Sequence, residues 1–120
     1  MGQAKQDDWR VGRQGVSEFQ YSILFVLANG SDYGLSIKTA LQDYYGEEIN
    51  HGRLYPNLNK LHDAGLLWKA EIDNRTNEYG LTERGLAMAL DRVEWAINNM
   101  VPDDEVGDLV NRVDEAVLGG

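Results

Sequence analysis

Three segments with the apolar spacing of short helices are followed directly by two segments with the pattern of a β-hairpin. The helical segments lie at 17–28, 35–45 and 50–64, where apolar residues recur every three or four positions. The hairpin segments, 67–73 and 77–81, flank a polar turn. Three helices joined by such short turns predict a compact tri-helical unit, with the hairpin directly after its third helix.

The helix ends carry their own signals. Ser17, followed three residues later by Gln20, matches a capping box, and Thr82 is placed to cap a fourth helix. A fifth helix is expected to begin after Pro102. This order of elements predicts a mainly α structure with a small β-hairpin (α+β), the arrangement of a winged helix-turn-helix with an added C-terminal helix.

Length and hydropathy predict one soluble domain. The chain has 120 residues, too few for two ordinary domains. We expect a flexible N-terminal arm over 1–15, the winged helix over 16–100 and a C-terminal helix over 101–120. No apolar run approaches the ~20 residues needed to cross a bilayer. The N-terminus lacks the pattern of a secretory signal, so a cytoplasmic location is expected.

Residue types that support catalysis are scarce. There is no cysteine, which excludes disulfides, thiolate nucleophiles and a thiol-based redox switch within this chain. The two histidines, His51 and His62, would lie ~16 Å apart along one helix and cannot chelate one metal. No phosphate-cradling glycine loop is present. The sequence therefore predicts no enzyme activity. It also predicts no cofactor, apart from bound K⁺ or other salt ions.

The net charge of −9 is unusual for a DNA-binding protein. The distribution of charge reduces the conflict between this acidity and DNA binding, because residues 50–85 carry five basic and five acidic side chains. Residues 1–49 carry four basic and seven acidic side chains, and residues 86–120 carry two basic and eight acidic ones. Acidic surfaces suit a protein that works in molar salt, where the Debye length falls to ~3 Å and a basic patch gains little. The composition predicts a halophilic source.

The third helix is the candidate recognition helix. If Leu54, Leu58 and Leu61 face inward, polar residues cover the other faces. Arg53 can form bidentate bonds to guanine, and Asn59 can form them to adenine. The predicted DNA-binding residues are Asn50, His51, Gly52, Arg53, Tyr55, Pro56, Asn59 and Lys60. An ordinary solvated helix face would fit the same residues.

Pro56 and the hairpin leave two further questions. Pro56 either lies inside the third helix, where it removes a backbone donor, or marks a helix that starts later. The hairpin tip forms the candidate wing, with one cation and three short polar side chains: Asn74, Arg75, Thr76 and Asn77. Such a wing would contact the DNA backbone or enter the minor groove, although an ordinary turn has a similar composition.

Two stretches carry a family resemblance. They are Leu54-Tyr55-Pro56-Asn57-Leu58-Asn59-Lys60-Leu61 with Gly65-Leu66-Leu67, and Arg75-Thr76-Asn77-Glu78-Tyr79-Gly80-Leu81-Thr82-Glu83-Arg84-Gly85. Together they resemble the PadR family of winged-helix transcriptional regulators over residues 17–100. The acidic composition and the lead-in Asn50-His51-Gly52-Arg53 are similar to haloarchaeal members, among them an oxidative-stress regulator.

The resemblance implies a dimeric, cytoplasmic, DNA-binding repressor or dual regulator, with an expected role in a stress response. By position it places the recognition helix at 50–63 and the wing at 72–79. Wings of this family are often more basic than this one, which offers only Arg75 at its tip.

The C-terminal helix is the predicted dimerisation element. Its apolar stripe must be buried, and the resemblance favours a second copy of the chain over a fold-back onto the same subunit. The stripe is Val106, Leu109, Val110, Val113 and Val117. A two-fold dimer would place its recognition helices ~34 Å apart and predicts a palindromic operator.

The main alternative is a winged helix that serves protein–protein contact without specific DNA binding. The acidity favours this alternative. Four outward polar and basic residues argue against it, because a protein-contact helix more often exposes apolar residues: Arg53, Asn59, Lys60 and Arg75. No sequence feature identifies a small-molecule effector.

Overall fold

The computed structural model describes residues 15–101 and 105–118. The described residues form five α-helices and three β-strands, with a turn of 3-10 helix, Leu27–Asn29, after the first helix. In chain order the elements are α1 (Glu18–Val26), β1 (Asp32–Tyr33), α2 (Gly34–Tyr45), α3 (His51–Asp63), β2 (Leu67–Asp73), β3 (Thr76–Leu81), α4 (Glu83–Met100) and α5 (Val106–Leu118).

Both predicted N-caps are confirmed. The Ser17 hydroxyl accepts a hydrogen bond from the Gln20 backbone N–H at 3.1 Å, and the Gln20 side chain accepts one from the Ser17 N–H at 3.0 Å. At the start of α4, the Thr82 hydroxyl accepts from the Gly85 N–H at 3.0 Å. These bonds satisfy N–H groups that have no partner within the helix, which is why the helices begin there.

The sheet has one more strand than the predicted hairpin. Its order is β1-β3-β2 and it is antiparallel throughout, with Leu67 opposite Leu81 and a register shift between Glu71 and Asp73. The extra strand, β1, lies where the sequence predicts a turn, and it pairs Asp32 with Tyr79. Two residues are too few to show the alternation that marks a strand, so periodicity alone could not detect β1.

The core lies between the first three helices and the sheet. The predicted inward leucines of α3 are buried and pack with residues of α1, α2 and the hairpin. Burial of a leucine side chain contributes about 1.5–3 kcal/mol, so these contacts account for much of the stability of the unit. Its largest fully buried members are Tyr79, Ile23, Leu24, Ile37, Leu41, Ile49, Leu54, Leu58, Leu61, Leu66, Leu67 and Met88.

One junction connects α3, the hairpin and α4. The Thr82 hydroxyl donates to the Gly65 carbonyl at 2.7 Å, and the Thr82 N–H donates to the Leu66 carbonyl at 3.2 Å. A Cβ atom at Gly85 would lie 2.0 Å from the same Leu66 carbonyl oxygen. Glycine is therefore required at position 85, because the first turn of α4 lies directly on the backbone that precedes β2.

The chain divides into two compact units after Ala89. The first unit holds the tri-helical core and the hairpin, which with β1 define a winged helix-turn-helix, as predicted. The second unit holds the C-terminal part of α4 and α5. The predicted arm, 1–15, lies outside the described residues apart from Gly15. No helix in the described ranges is long and apolar enough to span a membrane.

Within the second unit, several apolar side chains are exposed. They are Leu90, Val93, Trp95 and Met100 on α4, and Val113 on α5. Of the predicted dimerisation stripe, Leu109 is half-buried and Val113 is 50% exposed. The side chains of the other three stripe residues, Val106, Val110 and Val117, lie outside the described residues.

Candidate nucleic-acid interface

The N-terminus of α3 is fixed by its first residues. Asn50 is the N-cap, and its side chain accepts a hydrogen bond from the Arg53 N–H at 2.9 Å. The helix begins at His51, so Pro56 lies inside it and does not start it. Because proline has no N–H, the carbonyl of Gly52 lacks its usual helical donor. The local backbone is thus set by Asn50 at the cap and by Pro56 one and a half turns later.

Most of the predicted recognition residues lie on the surface of α3. Asn50, His51, Gly52, Arg53, Pro56, Asn59 and Lys60 are exposed. Leu54, Leu58 and Leu61 are buried beneath them, so the polar face is held on a rigid apolar support. This arrangement presents the two side chains with bidentate hydrogen-bonding capacity, Arg53 and Asn59, on the outer surface of one helix.

Tyr55 is placed differently from the other predicted residues. It is half-buried and packs against the core, and a Cβ built on Gly34 would lie 2.6 Å from its hydroxyl oxygen. Its ring stacks on the His51 ring at 5.4 Å between centroids, with an interplanar angle of 4°. Tyr55 therefore supports His51 from the side of α2, and the lack of a side chain at Gly34 leaves room for its ring.

Arg53 is held over an aromatic ring. Its guanidinium carbon lies 4.0 Å from the centroid of Phe19, which is buried in the first turn of α1. A cation–π contact of this kind can use the flat face of the guanidinium, and its in-plane N–H groups are then available for hydrogen bonds. The contact restricts the rotamers of Arg53 and lowers the entropy lost when those N–H groups bind a partner.

A chain of hydrogen bonds joins α1 to α3 beside Arg53. The Gln20 side-chain amide donates to the Asn57 Oδ1 at 2.8 Å, and the Asn57 amide donates to the Arg53 carbonyl at 2.7 Å. The sequence identifies Gln20 only as a capping residue and does not single out Asn57. The one sequence signal for this contact is that a capping position is occupied by glutamine, although a chain rich in acidic residues could have used glutamate there.

The wing forms as a tight hairpin. Asn74 and Arg75 make the turn between β2 and β3 and are exposed, whereas Thr76 and Asn77 are half-buried. The Arg75 backbone N–H donates to Asp73 at 2.9 Å. This bond, with a further one from the Thr76 side chain, holds the pKa of Asp73 below its usual value. Asp73 is two residues from Arg75, and its negative charge weakens the positive potential of the tip.

The charges of this surface nearly cancel. Across α3, β2, the turn and β3, the basic side chains are Arg53, Lys60, Lys69 and Arg75. The acidic ones are Asp63, Glu71, Asp73 and Glu78. Within the described ranges no group of three or more His, Cys, Asp or Glu side chains is placed to hold a metal ion. The surface is suited to directional hydrogen bonding rather than to strong attraction of phosphates.

An exposed polar helix on a buried leucine stripe, with a hairpin directly after it, is the arrangement of the DNA-binding winged-helix proteins. The sequence model of the transcriptional regulator PadR-like family matches residues 23–89 of this chain. The chain belongs to that family. It is therefore a DNA-binding transcriptional regulator and not an enzyme, as predicted.

Solved structures agree with this assignment. A structure of H. salinarum RosR grown from NaBr has 46% sequence identity to this chain and a TM-score of 0.77. The match covers 86% of this chain and 96% of that one. A complex structure of the same protein, hsRosR-S4, is 43% identical with a TM-score of 0.81, covering 94% and 100%. Bacillus subtilis PadR in complex with operator DNA is 26% identical with a TM-score of 0.57, covering 64% and 47%. A comparison with curated protein sequences gives no match.

Proposed function

We propose that this protein is a cytoplasmic, sequence-specific regulator that binds a palindromic operator as a homodimer in a high-salt cytoplasm. The observation that carries the proposal is the outer face of α3, where Arg53 and Asn59 are exposed above buried leucines. The major groove is about 12 Å wide and admits a helix of this kind. In this orientation Arg53 reads a guanine, Asn59 reads an adenine, and Lys60 contacts a phosphate.

The wing has a secondary role in this proposal. Arg75 is exposed at the hairpin tip and would lie against the backbone or in the minor groove. Because acidic side chains on the same surface offset its basic ones, binding would release few counterions, and its affinity would change little with salt. Base contacts and shape complementarity would then supply most of the affinity, as a molar-salt cytoplasm requires.

The homodimer is supported by the second unit. Five large apolar side chains are exposed there on α4 and α5, and isolated subunits seldom leave so many uncovered in one small unit. A second copy is the proposed partner, since a two-fold dimer presents two copies of α3 to successive major grooves. Val106, Leu109, Val110, Val113 and Val117 remain the proposed stripe of α5.

A role in an oxidative-stress response is proposed from the similarity to RosR, a protein 43–46% identical to this chain. The chain contains no cysteine, so a direct response to oxidants would use chemistry other than thiol oxidation. No cofactor is proposed other than bound K⁺ or other salt ions, and the side chains of the described residues identify no small-molecule effector.

The test is a selection of genomic DNA fragments in ~2 M KCl, where electrostatic steering is almost fully screened. The wild-type protein is compared with Arg53→Ala/Asn59→Ala and with a matched control, Asn111→Ala/Arg112→Ala, which removes the same side-chain types from exposed positions on α5. We expect wild type and control to enrich one palindrome and the α3 variant to enrich none. Enrichment by none would contradict the proposal and favour a protein-contact module. Equal enrichment by all three would contradict the assignment of Arg53 and Asn59 as the residues that read the operator.

A further inference from the structure

Gln20 is the one polar side chain among the buried residues of the described ranges, at 7% exposure. Its carbonyl oxygen accepts from the Ser17 backbone N–H at 3.0 Å, and its amide nitrogen donates to the Asn57 Oδ1 at 2.8 Å. Asn57 then donates to the Arg53 carbonyl at 2.7 Å. Three hydrogen bonds thus run without interruption from the N-cap of α1 to the first turn of α3.

The chain of bonds has one direction. Its first group, the Ser17 N–H, can only donate, and its last, the Arg53 carbonyl, can only accept. Each amide between them therefore has a single orientation that satisfies both of its neighbours. Turning either amide over would place like groups against each other at two contacts. Hydrogen bonds that run in series also polarise one another, so the chain is stiffer than its separate bonds.

The identity of residue 20 fits this arrangement. A capping box accepts either glutamate or glutamine at its third position, and the helix dipole favours the negatively charged side chain there. The chain is rich in acidic residues, with 20 in total. A glutamate carboxylate would serve Ser17 equally well but would have no N–H for Asn57. The donor, and not the cap, is therefore what requires glutamine.

The result is that Arg53 is held at both ends. Asn57 bonds to its carbonyl, and Phe19, the residue before Gln20, lies beneath its guanidinium. We propose that Gln20 is a positioning residue for Arg53, and that discrimination at the base pair read by Arg53 depends on Gln20, a buried side chain that cannot itself contact DNA. The inference rests on the proposed function, in which α3 reads the operator.

The experiment measures the relative affinity for the selected operator and for each of its single base-pair variants. The proteins are wild type, Gln20→Met, Asn57→Ala and the double variant Gln20→Met/Asn57→Ala. Gln20→Met keeps the side-chain length but loses both the bond to Asn57 and the capping bond from the Ser17 N–H, whereas Asn57→Ala keeps that capping bond. Ser22→Ala is the matched control, because the Ser22 hydroxyl lies 2.7 Å from the Tyr45 hydroxyl, so this variant loses a bond between α1 and α2 but keeps all three bonds from Ser17 to Arg53.

A bidentate arginine discriminates against a wrong base pair by about 10- to 100-fold. We expect Gln20→Met to reduce that ratio at least about threefold at the base pair whose recognition is lost in Arg53→Ala, with ratios elsewhere unchanged. Asn57→Ala should do the same, and the double variant should be no worse than either single variant, because both interrupt one chain. Ser22→Ala should keep the wild-type ratios.

A purely structural role would lower the melting temperature and weaken binding to every sequence equally, and this result would overturn the inference. Unchanged ratios in both Gln20→Met and Asn57→Ala would overturn it as well. If Gln20→Met does not fold, Asn57→Ala and the control decide the question. If wild type selects an operator, and Arg53→Ala loses discrimination at one base pair while Gln20→Met keeps it, only this inference fails. If wild type selects no operator, the proposed function fails with it.

Discussion

Gly85→Ala tests whether α4 lies directly on the backbone before β2. The added Cβ would meet the Leu66 carbonyl oxygen at 2.0 Å, and that oxygen already accepts the Thr82 N–H at 3.2 Å. A backbone atom cannot yield as a flexible side chain would. Either α4 must move outward or the carbonyl must rotate away from Thr82, and both disturb the junction that fixes the hairpin relative to α3.

The expected cost follows from three terms. Overpacking costs about 1–3 kcal/mol, and loss of the Thr82–Leu66 bond costs about 0.5–1.5 kcal/mol. The better helix propensity of alanine returns about 1 kcal/mol. The net destabilisation is about 0.5–3.5 kcal/mol, which for a domain of this size lowers the melting temperature by about 2–20 °C.

The assay is thermal unfolding followed by circular dichroism in ~2 M KCl, with Gly107→Ala as the control. Gly107 lies in α5 and an added Cβ would meet nothing within 4 Å, so alanine there should leave the melting temperature unchanged or raise it slightly. Equal melting temperatures for Gly85→Ala and Gly107→Ala would refute the close approach of α4 to Leu66.

Three further predictions concern charge, pH and assembly. In a fluorescence-anisotropy titration, Arg75→Ala should weaken binding to all DNA sequences alike, and a changed sequence preference would contradict the wing assignment. The slope of log affinity against log salt concentration should be shallow for both the wild type and the variant. Burial raises the pKa of Tyr79 above its ordinary value of 10, so the contribution of the neutral phenol to stability is present below pH 10 and is lost as the pH rises through the higher folded-state pKa. In urea unfolding at pH 8–12, the free energy of unfolding should therefore fall less steeply with pH in Tyr79→Phe than in wild type, and an equal fall in both would contradict the prediction. In sedimentation equilibrium, Val113→Asp should shift the proposed dimer towards monomer, whereas Asn111→Asp, at an exposed position of the same helix, should not. Equal behaviour of the two variants would count against α5 as the dimerisation helix.

The elements that the sequence predicted are those with several turns or a recognisable cap. The leucines of α3 recur at helical spacing, and Asn50 caps the helix where the pattern begins. The hairpin followed from two apolar segments around a polar turn. Local patterns were sufficient here because each element is long enough to show its period, and because its ends are specified by residues within one turn.

Contacts between distant segments were not predictable in this way. Gln20 and Asn57 are 37 residues apart, and nothing in a helical pattern joins them. The position of Tyr55 depends on a glycine in another helix, Gly34, so its place at one side of the α3 wheel did not reveal that it is half-buried. Tyr44 lies in the second helical segment, 35–45, and is 78% exposed, because periodicity marks an apolar position without showing whether another element covers it.

The most direct test of the account is a base-pair scan of the selected operator with wild type and Arg53→Ala. If α3 reads the major groove through Arg53, the variant should lose about 1–3 kcal/mol of affinity for the operator and tolerate all four bases at one symmetry-related pair of positions, with preferences elsewhere retained. An equal loss of affinity for every sequence, with all preferences retained, would show that Arg53 contacts only phosphate. That result would contradict the assignment of α3 as the helix that reads the operator through this residue.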